Sequence, residues 1–125
     1  MENKYEKIGD ILEYGGITDE EAVKLCNQII CDSTLVLDDK LLESMFYAIF
    51  TGVNNRNIAS ELNLDCVINN IDKYNDEIVD YIITILAYTG KEKYLSILIS
   101  IGETRKNLDV NEAIEELKYR IEKDK

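Results

Sequence analysis

Asp39, Glu43 and Tyr47 follow one another at intervals of four, and Asp76, Asp80 and Thr84 repeat the spacing 37 residues later. Residues four apart lie on one side of a helix, so each set is predicted to form a ladder. Carboxylates in such a row accept charge-assisted hydrogen bonds from lysine and arginine. Tyrosine beside them supplies broad amphipathic area of the kind that anchors interfaces. Glu77 and Tyr81 widen the second ladder, and Glu115 continues the series towards the C-terminus. The expected chemistry is recognition of a basic surface by Asp39, Glu43, Tyr47, Asp76, Glu77, Asp80, Tyr81 and Glu115. A rival acidic surface lies at the start of the chain, in Asp10, Glu13, Asp19, Glu20 and Glu21. Residues 1–43 carry 11 acidic side chains against 4 basic ones.

The same residues are poor material for catalysis. The chain has no histidine, so no side chain has an ordinary pKa near neutrality. It has no GxSxG elbow and no phosphate-binding glycine loop. Gly15-Gly16 reads as a helix stop. Paired acids such as Asp19/Glu20 and Asp38/Asp39 are adjacent, and neighbours on a helix point different ways. Acids also gather at helix N-termini for the dipole alone, which is the plainer account of any one of them. Cys26, Cys31 and Cys66 form no CxxC pair and are expected to be buried free thiols with no zinc site. The expectation is a protein that is not an enzyme and has neither cofactor nor metal.

The formal charge of −11, from 25 acidic and 14 basic residues, sets the partner class. A phosphate backbone or an anionic membrane would be repelled, and a basic protein would be attracted. The N-terminus lacks the apolar stretch of a signal peptide, and no apolar run is long enough to span a membrane. The protein is expected in the cytoplasm.

The elements that must hold these ladders are helices. Proline is absent, glycine is held to 6 residues, and 46% of residues are hydrophobic, which favours an all-α chain. About seven helices are expected in a single domain over residues 1–125. The first covers 3–14, and the second starts at Thr18, where Glu21 completes a capping-box signature. The third runs from Asp38 or Asp39 to Gly52, with Asn54-Asn55 as a turn. The fourth runs from about Arg56 through Ile71, with a break at Asn63. The fifth starts at Asp76 and ends at Thr89-Gly90. The sixth is Lys91–Ile101, stopping at Gly102, with Tyr94, Leu95, Leu98 and Ile99 inward. Asp109 caps a last helix that frays over 122–125.

The stretches starting at Asp39 and Asp76 align as acid, apolar pair, acid, apolar pair, and the alignment continues from Ile58 to Leu95 and from Leu62 to Ile99. A third copy starts at Glu112, and a weaker one at Glu21. Helix pairs at a period of 35–40 residues mark an α-solenoid. The run ILAYTGKEKYLSILISIGE, Ile85–Glu103, resembles a HEAT-like repeat of the form A-L-x-x-T/S-G-x-x-x-Y-L-x-x-L, and the resemblance covers residues 38–121. It departs from that pattern in lacking the usual proline and the regular Asp and Arg pair. The implied fold is a short HEAT-like solenoid, with an irregular helical bundle as the alternative.

A small acidic HEAT-like chain is also similar to the immunity proteins of contact-dependent growth inhibition and related polymorphic toxin systems. That resemblance implies a 1:1 complex with one cognate toxin domain, commonly a nuclease and here an RNase by preference, whose basic cleft is occluded. The other function kept open is a HEAT-like adaptor or regulatory scaffold for a basic partner.

Overall fold

The computed structural model describes residues 4–123, and every regular element among them is helical. The seven α-helices are α1 (Lys4–Tyr14), α2 (Asp19–Ser33), α3 (Asp39–Asn55), α4 (Asp65–Asn69), α5 (Asp76–Tyr88), α6 (Leu95–Thr104) and α7 (Asn111–Lys123). Short 3₁₀ turns at Ala59–Glu61, Ile71–Lys73 and Glu92–Tyr94 link them. The starts are written in the sequence. Thr18 accepts from the Glu21 amide at 3.1 Å, and the Glu21 carboxylate accepts from the Thr18 amide at 3.2 Å, closing the capping box. Asn75 caps α5 by accepting from the Ile78 amide, and Asp38 and Asp109 accept amides at the starts of α3 and α7.

The odd-numbered helices stand side by side in chain order, α1 on α3, α3 on α5 and α5 on α7. They run parallel. Gly9 lies against Ala48 while Leu12 lies against Gly52. Phe46 meets Tyr74 just before α5, and Phe50 meets Tyr81 inside it. Asp80 shares a groove with Asp109, and Tyr88 meets Arg120. The even-numbered helices form a second layer, with α2 against α3 and α4, and α6 against α7. α2 and α6 thus pack on the odd-numbered helix that follows each of them in the chain. The buried apolar residues, from Leu12 and Ile30 through Phe46, Ile78 and Leu86 to Leu98 and Leu117, form one continuous core between the layers.

Several expected boundaries differ. Gly52 does not end α3, which continues to Asn55. It is buried where α1 and α2 approach, and a Cβ there would stand 3.1 Å from Cys26 Sγ. Gly102 likewise lies inside α6, where a Cβ would come within 2.6 Å of Val110 Cγ2. Among the described residues only Gly90 takes the left-handed conformation, φ 67°, and it stops α5 as expected. Ile99 is 44% exposed instead of inward, so its alignment with the fully buried Leu62 fails. Residues 122 and 123 continue α7 without fraying; residues 124 and 125 lie outside those described.

The long fourth helix is absent. Arg56 is extended, and only Asp65–Asn69 is α-helical in that region. Side chains from neighbouring elements satisfy the backbone there. Asn27 of α2 donates to the Glu61 carbonyl and accepts from the Asn63 amide. Lys91 donates to the Leu62 carbonyl, and the Tyr94 hydroxyl accepts from the Leu64 amide. The apolar residues Ile58, Leu62, Leu64 and Val67 are nevertheless buried. Burial of apolar surface survives there while the helical ladder of hydrogen bonds is replaced.

Candidate acidic and aromatic interface

Parallel stacking puts the N-terminal ends of α3, α5 and α7 on one edge of the molecule, and the outer faces of these helices form one surface. Near its centre, Tyr47 of α3 stands edge-on to Tyr81 of α5 with ring centroids 6.0 Å apart. Phe50 closes the cluster, 5.8 Å from Tyr81 and 6.4 Å from Tyr47. Tyr47 is 51% exposed, whereas Tyr81 is half-buried. Burial pushes the Tyr81 phenol above its ordinary value, and Glu43, Tyr47, Asp80 and Glu77 push in the same direction. Carboxylates from two helices therefore act on one phenol. None of the four ion pairs among the described residues involves Glu43, Glu77 or Asp80.

The surface extends both ways. At the end of α1, Tyr14 is 79% exposed. Its phenol is pushed up first by a hydrogen bond with Glu13, with further contributions from Asp10 and Tyr47. Asp10 and Glu13 thus lie with Tyr14 on the side of α1 turned towards Tyr47. On the other side a groove of about 350 Å³ between α5 and α7 is lined by Asp80, Thr84, Tyr88, Asp109, Glu112 and Glu116. Arg120 offsets one of these charges, donating to Glu116 at 2.9 Å while its guanidinium lies 4.4 Å from the Tyr88 ring centre.

Three expected contact residues are engaged inside the fold. Asp76 is bridged at 2.9 Å by Arg105, which also donates to the Ile71 carbonyl. Asp19 is bridged by Arg56, and Glu21 belongs to the capping box. Asp19, Glu20 and Glu21 start α2, in the other layer. Glu115 faces a shallow depression with Glu112 and Tyr119, off the α5–α7 groove. Asp39 is exposed at the first turn of α3, where the helix dipole accounts for an acid. Glu43 and Asp80 lie beyond the first turn, so the dipole does not explain them.

Sequence reasoning missed Asp109, Glu112 and Glu116 as groove residues. It also missed Arg56 and Arg105. Arg56 donates to the carbonyls of Leu12, Gly15 and Ile17 as well as to Asp19. Each arginine fastens a loop of a preceding helix pair. Their positions directly after a helix C-terminus were the available signal, because a cation there can collect orphan carbonyls.

Cys26 is buried as expected, but Cys66 is half-buried and Cys31 is exposed. Among the described residues no group of histidine, cysteine, aspartate and glutamate could hold a metal ion, and no helix is long and apolar enough to cross a membrane. Comparisons with protein-family models, with curated proteins and with solved structures find no match for this chain.

Proposed function

We propose that this chain is an immunity protein that binds a basic toxin domain, a nuclease of RNase type, and neutralises it in the cytoplasm by occluding its cleft. The observation that carries the reading is the grouping of unbridged Glu43, Glu77 and Asp80 around the Tyr47–Tyr81 pair on one exposed face. Such a face offers charge to lysine and arginine and aromatic area to the apolar parts of a partner. The charge of −11 adds long-range attraction for a basic protein. The HEAT-like resemblance of Ile85–Glu103 supports a scaffold that presents a surface in preference to one that encloses a substrate.

The test is co-expression with the product of the adjacent upstream gene, followed by purification and a nuclease assay. A 1:1 complex in which nuclease activity is lost supports the reading. Failure to form a complex, or a complex that cleaves RNA at the full rate, contradicts it. A 1:1 complex with a basic protein that has no toxic activity would favour an adaptor.

A further inference from the structure

The loop between α2 and α3 holds the two most exposed large apolar side chains among the described residues, Leu35 at 85% and Leu37 at 87%. Val36 between them is half-buried and packs against the core. This out-in-out order is fixed by hydrogen bonding. The amides of Thr34, Leu35 and Val36 donate to the carbonyls of Cys31, Asp32 and Ser33. The Thr34 hydroxyl donates to Cys31, and the Ser33 hydroxyl to Ile30. From the turn before α5, the Lys73 ammonium donates to the Thr34 carbonyl at 2.9 Å and approaches the Val36 carbonyl at 3.5 Å. The leucines are thus held outward by a braced loop. Ordering them in a complex costs little further backbone entropy.

Their setting identifies the partner. The loop and the turn that braces it carry Asp32, Asp38, Asp39 and Asp72 against Lys40 and Lys73, a net negative setting. The loop leads directly into the N-terminus of α3, and Lys73 ties it to the turn before α5. It therefore lies on the same edge as Asp39 and Glu77. A second copy of this chain or an anionic membrane would bring like charge against these aspartates. A basic protein with an apolar recess matches both features.

We infer that Leu35 and Leu37 are an apolar anchor that enters a recess rimmed by lysine or arginine on the basic partner. The acidic face governs approach and salt dependence, and the leucines govern residence. The inference rests on the proposed toxin-binding reading and adds a second, uncharged contact to it.

The experiment titrates the purified product of the adjacent upstream gene, in catalytically inactive form, into three forms of this chain at several salt concentrations. The forms are the unaltered chain, Leu35→Ser with Leu37→Ser, and Glu43→Lys with Asp80→Lys. Circular dichroism checks each fold, and all four positions are at least partly exposed. The anchor predicts that the double serine variant binds at least about tenfold more weakly. The loss should come through faster dissociation, and the salt slope should not change. The double lysine variant should show a shallower salt slope. If the serine variant binds within about tenfold of the unaltered chain, the anchor is overturned while the acidic reading stands. If the unaltered chain does not bind, both are overturned.

Discussion

Tyr47 of α3 and Tyr81 of α5 meet edge to face, 6.0 Å between ring centroids, with Glu43 and Asp80 close enough to act on the Tyr81 phenol. One aromatic contact thus joins two helices of the odd layer and marks the convergence of their carboxylates. An edge-to-face pair contributes about 0.5–1.5 kcal/mol beyond the area it buries. Tyr47→Ala should therefore lower stability by about 1 kcal/mol, because half of its surface is already in water. Tyr81→Ala should cost about 2 kcal/mol, since its ring also leaves a gap against Phe50. Urea denaturation measures both. Tyr47→Ala should weaken partner binding more than it weakens the fold; an equal or smaller effect on binding would make Tyr47 only a packing residue.

Arg56 is 13% exposed and its guanidinium donates to three carbonyls and one carboxylate. Arg56→Ala leaves part-buried carbonyls at the end of α1 and in the α1–α2 loop without their donor, and the expected cost is about 2 kcal/mol. Arg56→Lys should recover less than half of that, because an ammonium cannot reproduce the planar fork. Denaturant midpoints of the two variants check this directly.

Gly102→Ala sets a methyl against Val110 at the junction of α6 and α7. The gain in helix propensity is about 1 kcal/mol, and the overlap should exceed it, giving a net loss of about 1 kcal/mol. The pair Gly102→Ala with Val110→Ala should show positive coupling, because the second change removes the atom that clashes. Additive losses would mean that the junction moves freely.

Burial pushes the Cys26 thiol up from 9.0 to about 12. The folded chain keeps a proton that the unfolded chain releases above pH 9. This contribution is therefore complete below pH 9 and is lost as pH rises from 9 towards 12, by up to about 1.4 kcal/mol per pH unit. Stability of the unaltered chain should fall more steeply over that window than stability of Cys26→Ala. At pH 8 a thiol reagent should label Cys31 first and Cys26 only on unfolding, as their exposures require.

The sequence carried the all-α architecture because its signals are local. The Thr18 capping box, the asparagine before Asp76 and the left-handed Gly90 each act within one helical turn. The apolar spacing of α3 and α5 also specified their buried faces. Gly52 and Gly102 were not legible, since a glycine that ends a helix and one that admits a neighbouring side chain look alike without the neighbour. The residues after Arg56 keep a helical apolar pattern, yet Asn27, Lys91 and Tyr94 reach in from distant segments and hold another backbone. The ladder was legible at Glu43, Tyr47, Asp80 and Tyr81, whose helices are regular. No local signal announced the ion pairs of Asp76 in the ladder and of Asp19 in the N-terminal acidic set, which arginines 29 and 37 residues later supply. Glu115 was placed by register from α5, but rotation of α7 turns Glu112 and Glu116 to the groove instead.

Glu43 and Asp80 join no ion pair among the described residues and lie beyond the first turn of their helices, and the proposed function has them bind a basic partner. The most direct measurement is the dissociation constant of the complex with the upstream gene product across a salt series, for the unaltered chain and for Glu43→Gln with Asp80→Asn. Neutralising two carboxylates leaves the helices and the aromatic pair intact. Binding of the neutralised chain should be at least about tenfold weaker at low salt, with the two chains converging as salt rises. Equal affinities at every salt concentration would contradict it.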